Sequence, residues 1–415
     1  MIPTQTTERL YYLDSTLREF AGRVVARQEL AGRPAVALDR TAFYPTGGGQ
    51  PHDTGALRPR GAPEGVVHVV DVIADDGLVW HVLDAPLPAD DVVGALDWAR
   101  RLDHMQQHTG QHVLSQAFVQ TRDAETVAFH LGVNTSTIDL NRVDLGPDDL
   151  AATEAAAEAA AEAVANAVID EARPVTATFY DEAALDQVPL RKPPKVSGQI
   201  RVVQVAGYDW SACGGTHVSN TAQIGLIKII GTERRGPETR VTFLCGGRAR
   251  ADYARLTTLA DGLVARFTTS QDELLAAVDR LLAEGKAVRR ELGELEAAWV
   301  ASTADALWAA ARPAGDRRVI AVAVDYSVER AKRVAQALRG RPGAVVVVGV
   351  RGERPQLICT RADDVTLDAG DLLRTAVTVG GGRGGGRPDW AQGGVPTDAA
   401  LDVALAAAAR SLDAT

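Results

Sequence analysis

Four residues carry the chemistry most readily read from this chain: His108, His112, Cys213 and His217. His108 and His112 are four positions apart in a segment of helical periodicity. Side chains at that spacing leave one helix face about 6 Å apart, so two imidazoles can reach one cation. Cys213-Gly214-Gly215-Thr216-His217 offers a second pair at the same separation. Its glycines point to a tight turn, which can also converge two ligands. A thiolate with imidazoles suits zinc better than calcium or magnesium. Either pair alone is common without a metal; the two together, each in an unusual local sequence, point to one site. His104 lies one turn before His108, so spacing leaves open whether the helix pair is His104/His108 or His108/His112. Four closed ligands would make the metal structural or substrate-orienting, and an open position would let it activate water. His52, His68, His81 and His130 read as ordinary strand or loop histidines. Cys245 and Cys359 read as small buried residues in apolar strands.

Helices, strands and loops must bring these pairs together. Residues 104–120 form a helix by pattern, with Val113, Leu114, Ala117 and Phe118 as its apolar stripe. Residues 8–95 read as β: segments such as Arg23-Val24-Val25-Ala26 and Val66-Val67-His68-Val69-Val70 alternate between turn signals. That spacing suggests a small antiparallel barrel. Inside it, Phe43-Tyr44-Pro45-Thr46-Gly47-Gly48-Gly49-Gln50 suggests a loop that needs positive φ or close backbone approach. An Ala-rich helix over 147–171 carries Glu154, Glu158 and Glu162 as a solvated face without chemistry. Strands over 175–180, 199–205, 224–230 and 240–244 follow without regular βαβ alternation. Residues 251–312 are leucine-spaced and helical, a hairpin or spacer. Beyond 317 the pattern is α/β, with strands 319–324 and 344–350 around a helix at 328–338 and a glycine-rich stretch near the end.

The expected architecture is therefore multidomain α+β. An N-terminal small β-barrel spans 1–95, an α+β zinc-containing domain 96–250, a helical spacer 251–313 and a C-terminal α/β domain 314–415. A chain of 415 residues exceeds one core. Its 46% hydrophobic and 24% charged residues are those of a folded protein rather than a disordered one. A net charge of −10 argues against indiscriminate nucleic-acid binding, yet the charge is uneven. Residues 121–190 carry 3 Arg against 14 acidic residues, and residues 190–250 carry 10 basic against 3 acidic. An anionic partner would meet the second stretch, where Arg191, Lys192 and Lys195 surround two prolines. Three cysteines exclude a disulfide framework and fit a reducing compartment. No signal peptide and no apolar run of membrane-spanning length is present, so a cytoplasmic protein without membrane contact is expected.

The motifs Thr41-Ala42-Phe43-Tyr44-Pro45-Thr46-Gly47-Gly48-Gly49-Gln50-Pro51, His108-Thr109-Gly110-Gln111-His112, Thr137-Ile138-Asp139-Leu140 and Cys213-Gly214-Gly215-Thr216-His217 resemble the editing domain of alanyl-tRNA synthetases. The stretch GGGRGGGRPDWAQGG over 380–394 resembles the C-terminal domain, DHHA1-like, that those enzymes share with DHH-type phosphoesterases. The region around Phe129-His130-Leu131-Gly132 departs from those editing domains. The resemblance covers nearly the whole chain and starts directly in the barrel, so it implies a stand-alone editing protein of the long AlaX type without aminoacylation activity. It implies one zinc ion on His108, His112, Cys213 and His217, with His104 as a neighbour. The implied substrate is tRNA(Ala) mischarged with serine or glycine, and the implied reaction is hydrolysis of its ester.

On that reading, Gln111, Thr46 and Thr216 are the candidates for contacting the serine hydroxyl. Gly47, Gly48 and Gly49 would bring backbone N–H groups to the terminal adenosine or the ester carbonyl. Arg191, Lys192, Lys195, Arg383 and Arg387 are expected to contact tRNA, with Arg234 and Arg235 adding to them. The C-terminal region is expected to hold the tRNA body and to support a homodimer. Two other classes compete. A phosphoesterase would need an Asp- and His-rich two-metal site, whereas Asp103-His104 is the only such pair. A non-catalytic tRNA-binding protein would keep the same zinc as a structural ion.

Overall fold

The computed structural model describes residues 6–62, 64–141, 150–194 and 197–413. The chain divides into two compact units, Met1–Leu263 and Val264–Thr415.

Six strands of the first unit build its N-terminal part: β1 (Glu19–Leu30), β2 (Arg33–Leu38), β3 (Gly55–Pro59), β4 (Val67–Asp75), β5 (Leu78–Leu83) and β6 (Asp91–Leu96). They close into a barrel in the order β1-β2-β5-β4-β3-β6, every pair antiparallel. Closure leaves no unpaired edge. Alternation sets the inner face: along β6, Val92, Gly94 and Leu96 are buried and Asp91, Val93 and Ala95 are not. Phe20, Leu38, Phe43, Leu57 and Leu83 fill the interior. His81 is buried among them, its Nδ1 donating to the Val36 carbonyl at 3.1 Å and its Nε2 2.8 Å from the Thr41 hydroxyl. It is a satisfied core histidine.

Helix α1 (Trp98–Arg122) follows, capped by the Asp97 side chain and ended by Asp123 at a left-handed φ of 52°. Almost every residue from His104 to Ser115 is buried, more than the single stripe of a surface helix. The helix is tied to the barrel loop by Arg101 and Asp53, an ion pair with both side chains fully buried. Asp53 also accepts from the Tyr44 amide at 2.7 Å, which fixes the entry to the glycine loop against the helix.

Next come β7 (Thr126–Leu131), β8 (Ser136–Leu140), α2 (Leu150–Asp170), β9 (Val175–Tyr180), β10 (Ile200–Val205), β11 (Asp209–Ala212), β12 (Ile227–Arg235), β13 (Glu238–Cys245) and α3 (Gly246–Phe267). Two antiparallel sheets result, β12-β13-β8-β7 and β9-β10-β11. α1 reaches the first so closely that a Cβ on Gly110 would sit 2.3 Å from Cys245 Sγ. That contact explains a glycine in a helix interior and places Cys245 in the core.

The second unit begins at Val264, in the last turn of α3, and continues through α4 (Leu274–Ala309), β14 (Arg312–Ala314), β15 (Arg317–Val324), α5 (Val328–Arg339), β16 (Ala344–Val350), β17 (Gln356–Arg361), α6 (Ala369–Val379), β18 (Arg383–Arg387), β19 (Trp390–Gly394) and α7 (Asp398–Asp413). Its sheet runs β14-β15-β16-β17-β19-β18, with β15 and β16 parallel across α5. The glycine-rich stretch is the hairpin β18/β19. A Cβ on Gly384 would lie 2.5 Å from Gly393 Cα and 3.1 Å from Leu373 on α6, so the glycines let helix and hairpin meet. Among the described residues, no helix is long and apolar enough to cross a membrane.

Candidate metal centre and its cavity

His108 and His112 come from α1, and Cys213 and His217 from the loop after β11. Their ligand atoms all lie within 4.8 Å of one another. Cys213 Sγ is 3.3 Å from both His108 Nε2 and His217 Nε2. Zinc bonds of about 2.0–2.3 Å in a tetrahedron put ligand atoms roughly 3.3–3.6 Å apart, so the donor set and its spacing fit that ion. His104, one turn earlier, is not in the cluster. It is buried, its Nδ1 has no partner among the described residues, and burial lowers its pKa to about 4.

Each imidazole is held from behind. His108 Nδ1 donates to Gln50 Oε1 at 2.8 Å, His112 Nδ1 to Asp209 Oδ2 at 3.2 Å, and His217 Nδ1 lies 3.1 Å from the Thr109 hydroxyl. With Nδ1 engaged, the Nε2 lone pairs are left for a ligand. Outer partners of this kind set ring orientation and tautomer in metal sites. Gln50 also donates from Nε2 to Thr216 Oγ1 at 2.8 Å and accepts from the Thr216 amide at 3.1 Å, so one amide joins the barrel loop to both ligand pairs. Arg201 donates to the carbonyls of Cys213 at 2.8 Å and Gly215 at 2.9 Å, clamping the loop.

The surroundings favour the thiolate form of Cys213, the form in which a cysteine ligates a metal. Burial pushes the Cys213 thiol up, but His108 and His217 beside it outweigh that and hold it well below its ordinary value. Burial would lower His112, yet its hydrogen bonds with Asp209 and Cys213 raise it to about 9, whereas burial takes His217 down to about 3.

The cluster opens on a cavity of about 560 Å³ lined by His108, Gln111, His112 and Cys213, with Gly48, Thr126, Phe129, Tyr12, Phe179, Arg191 and Lys192 among its walls. That is within the usual size of a small-molecule site. Gln111 Nε2 donates to Ser115 Oγ at 2.8 Å, and Ser115 Oγ lies 2.6 Å from Thr126 Oγ1. Gly48 and Gly49 are the central residues of a tight turn closed by Gly47 and Gln50, with φ of 55° and 81°. Both central positions need positive φ, as a type I′ turn does. Gly49 also backs onto Phe129, 3.0 Å from a Cβ there, and Phe129 in turn lies against the His108 ring, centroids 5.1 Å apart.

Other candidates sit elsewhere. The Thr46 hydroxyl is engaged by His52 at 3.1 Å and is not among the cavity residues. The Thr216 hydroxyl is fully buried against Gln50. Arg191 pairs with Asp209 at 2.9 Å, and Lys192 with Glu125 at 3.4 Å. Arg234 and Arg235 end the exposed part of β12, where Arg235 pairs with Glu233 at 2.6 Å. Arg383 and Arg387 are exposed on β18 of the second unit. Lys195 lies outside the described residues. Gln50, Asp209, Thr109 and Arg201 support the cluster without a local pattern that assigns them a role. The last residue of the glycine motif was the one available signal for Gln50.

Two family models match the chain. The threonyl and alanyl tRNA synthetase second additional domain matches residues 200–240, which contain the Cys213–His217 pair, and the DHHA1 domain matches residues 316–413. The alanine–tRNA ligase of Pyrococcus abyssi is 31% identical over 395 residues, covering 93% of this chain and 42% of that protein. The alanine–tRNA ligase of Pyrobaculum calidifontis is 33% identical over 401 residues, with the same coverage of 93% and 42%. The chain thus spans less than half the length of these relatives. The alanyl-tRNA editing protein AlaX-L of Pyrococcus horikoshii is 28% identical over 407 residues, 96% of this chain and 97% of that one.

Proposed function

We propose that this chain, which belongs to the alanyl-tRNA editing family, hydrolyses the ester of tRNA(Ala) mischarged with serine or glycine, using one zinc ion on His108, His112, Cys213 and His217. The observation that carries this reading is the ligand cluster, oriented by Gln50, Asp209 and Thr109 and open to a cavity of about 560 Å³. Zinc there would supply a fixed positive charge for the amino acid end of the ester.

The chain's own residues do the rest. An aminoacyl ester is already activated, so the site must position it and admit water. Gln111 commits its Nε2 to Ser115 and lines the cavity, and among the described residues its Oε1 has no hydrogen bond, so that oxygen is placed to accept from the serine hydroxyl. A group placed to pair with that hydroxyl disfavours alanine, which leaves it unpaired. Gln111 is therefore the favoured specificity residue, while Thr216 acts through Gln50 and Thr46 through the loop. Among the described residues the N–H groups of Gly48 and Gly49 donate to no backbone carbonyl, and Gly48 lines the cavity, so they are available to the ester carbonyl as it gains charge. Arg191 and Lys192 line the same cavity and suit the terminal phosphates. Arg383 and Arg387, together with Lys195, extend the reading to the tRNA body, which the C-terminal unit would hold, with a homodimer forming through the same region.

The test compares deacylation of Ser-tRNA(Ala) by the wild type and His108→Ala at matched zinc content. The reading expects loss of turnover in the variant. Wild-type turnover with zinc retained would contradict it, and no turnover in either protein would favour a tRNA-binding role with a structural ion.

A further inference from the structure

Phe179 is 40% exposed in a chain with only seven phenylalanines, and it lines the same cavity as the ligand cluster. A single exposed apolar side chain is ordinary on a protein surface; its place on the wall of the cavity is what sets this one apart. Its ring meets Tyr12 edge to face, centroids 6.0 Å apart at 71°. Tyr12 is braced in turn by the guanidinium groups of Arg9 and Arg201, 5.6 and 5.5 Å from its ring centre. Among the described residues, no other ring and no guanidinium stacks on Phe179.

Its placement is fixed relative to the cluster. Phe179 on β9 is the direct cross-strand partner of Arg201 on β10, and Arg201 holds the Cys213 and Gly215 carbonyls. Directly paired side chains have Cβ atoms about 5 Å apart. One strand pair and one guanidinium therefore separate the exposed ring from the loop that carries two ligands. In an aminoacyl-tRNA the ester is made to the ribose of the terminal adenosine, so the adenine lies one sugar away from the reacting carbonyl. An amino acid at the cluster brings that base to the cavity wall.

We propose that Phe179, braced by Tyr12, is a stacking subsite for the terminal adenine of the substrate. The proposal rests on the deacylase reading. An aromatic platform accepts a base by its π face, and such a contact contributes roughly 5- to 150-fold in affinity. The subsite would hold the tRNA end in register while leaving amino acid choice to Gln111.

The test uses zinc-loaded full-length protein and tRNA(Ala) carrying 2-aminopurine as its terminal base. Stacking on an aromatic ring quenches that fluorescence. Wild type and Phe179→Tyr are expected to quench it. Phe179→Leu, which keeps apolar bulk but has no π face, is expected to lose the quench. The KM for Ser-tRNA(Ala) should rise about tenfold in the Leu variant and return in the Tyr variant. No quench with wild type, an equal quench with Phe179→Leu, or an unchanged KM would overturn the subsite. If the quench pattern holds but wild type does not deacylate Ser-tRNA(Ala), the subsite stands and the deacylase reading falls.

Discussion

Gly214 and Gly215 are neighbours in one loop, and the structure gives them opposite tolerance of a methyl group. A Cβ on Gly215 would lie 2.2 Å from His108 Cε1, 2.4 Å from its Nδ1 and 3.0 Å from Gln50 Oε1. A Cβ on Gly214 would meet only Tyr12, 3.5 Å from its hydroxyl. Neither glycine has a positive φ, so alanine is strained at neither by its backbone. In Gly215→Ala the His108 ring must retreat by more than an ångström. Phe129 at 5.1 Å and Gln50 at 2.8 Å already confine that ring. Its Nε2 would then leave the cluster. Losing an outer partner of a ligand typically weakens metal affinity 10- to 100-fold. Displacing the ligand itself should cost at least the upper figure, about 2.8 kcal/mol. Zinc affinity measured by competition with a chromophoric chelator reads this directly. Gly215→Ala should bind zinc at least ~100-fold more weakly, and Gly214→Ala within twofold of wild type. Equal affinities for the two variants would refute the packing argument.

Removing Gln50 should act on the same ion from behind: Gln50→Ala frees His108 Nδ1, and its zinc affinity should fall 10- to 100-fold by the same titration. Asp53→Ala leaves Arg101 buried without its partner, and denaturant unfolding should show a loss of about 3–5 kcal/mol; a loss below 1 kcal/mol would remove that pair as the tie between helix and barrel. His81 is neutral and buried, with its pKa lowered from 6.5 to about 4 by burial. The unfolded chain therefore binds the extra proton first, and stability is full above pH 6.5 and falls by up to about 3 kcal/mol as pH drops towards 4. His81→Gln should flatten that slope, and an unchanged slope would assign it to other groups.

What could be read from the sequence follows from what is local. The i,i+4 pair on α1 and the Cys213–His217 turn each announce themselves within five residues. The alternation of residues 8–95 reads as barrel strands, and the β15-α5-β16 unit carries its own periodicity. The choice between His104 and His112 is not local, because both lie on one helix face. It is made by the loop after β11, which meets the helix at 108 and 112. The outer partners are non-local as well: Gln50 is 58 residues from His108 and Asp209 is 97 from His112, and no pattern in either segment announces the pairing. Glycines hid the β18/β19 hairpin, since they have little strand propensity and their role is to let α6 approach. Thr46 stands in the glycine motif with its hydroxyl turned to His52, and Gln50 makes the motif's contact with the ligands.

The central claim is that the cluster and its cavity remove the wrong amino acid from tRNA(Ala). Time courses of Ser-, Gly- and Ala-tRNA(Ala) with the zinc-loaded protein, each with and without a chelator, test it most directly. The account predicts rapid loss of serine, measurable loss of glycine, retention of alanine, and suppression of all turnover once zinc is removed. Alanine released as fast as serine, or serine released equally well after zinc removal, would contradict it.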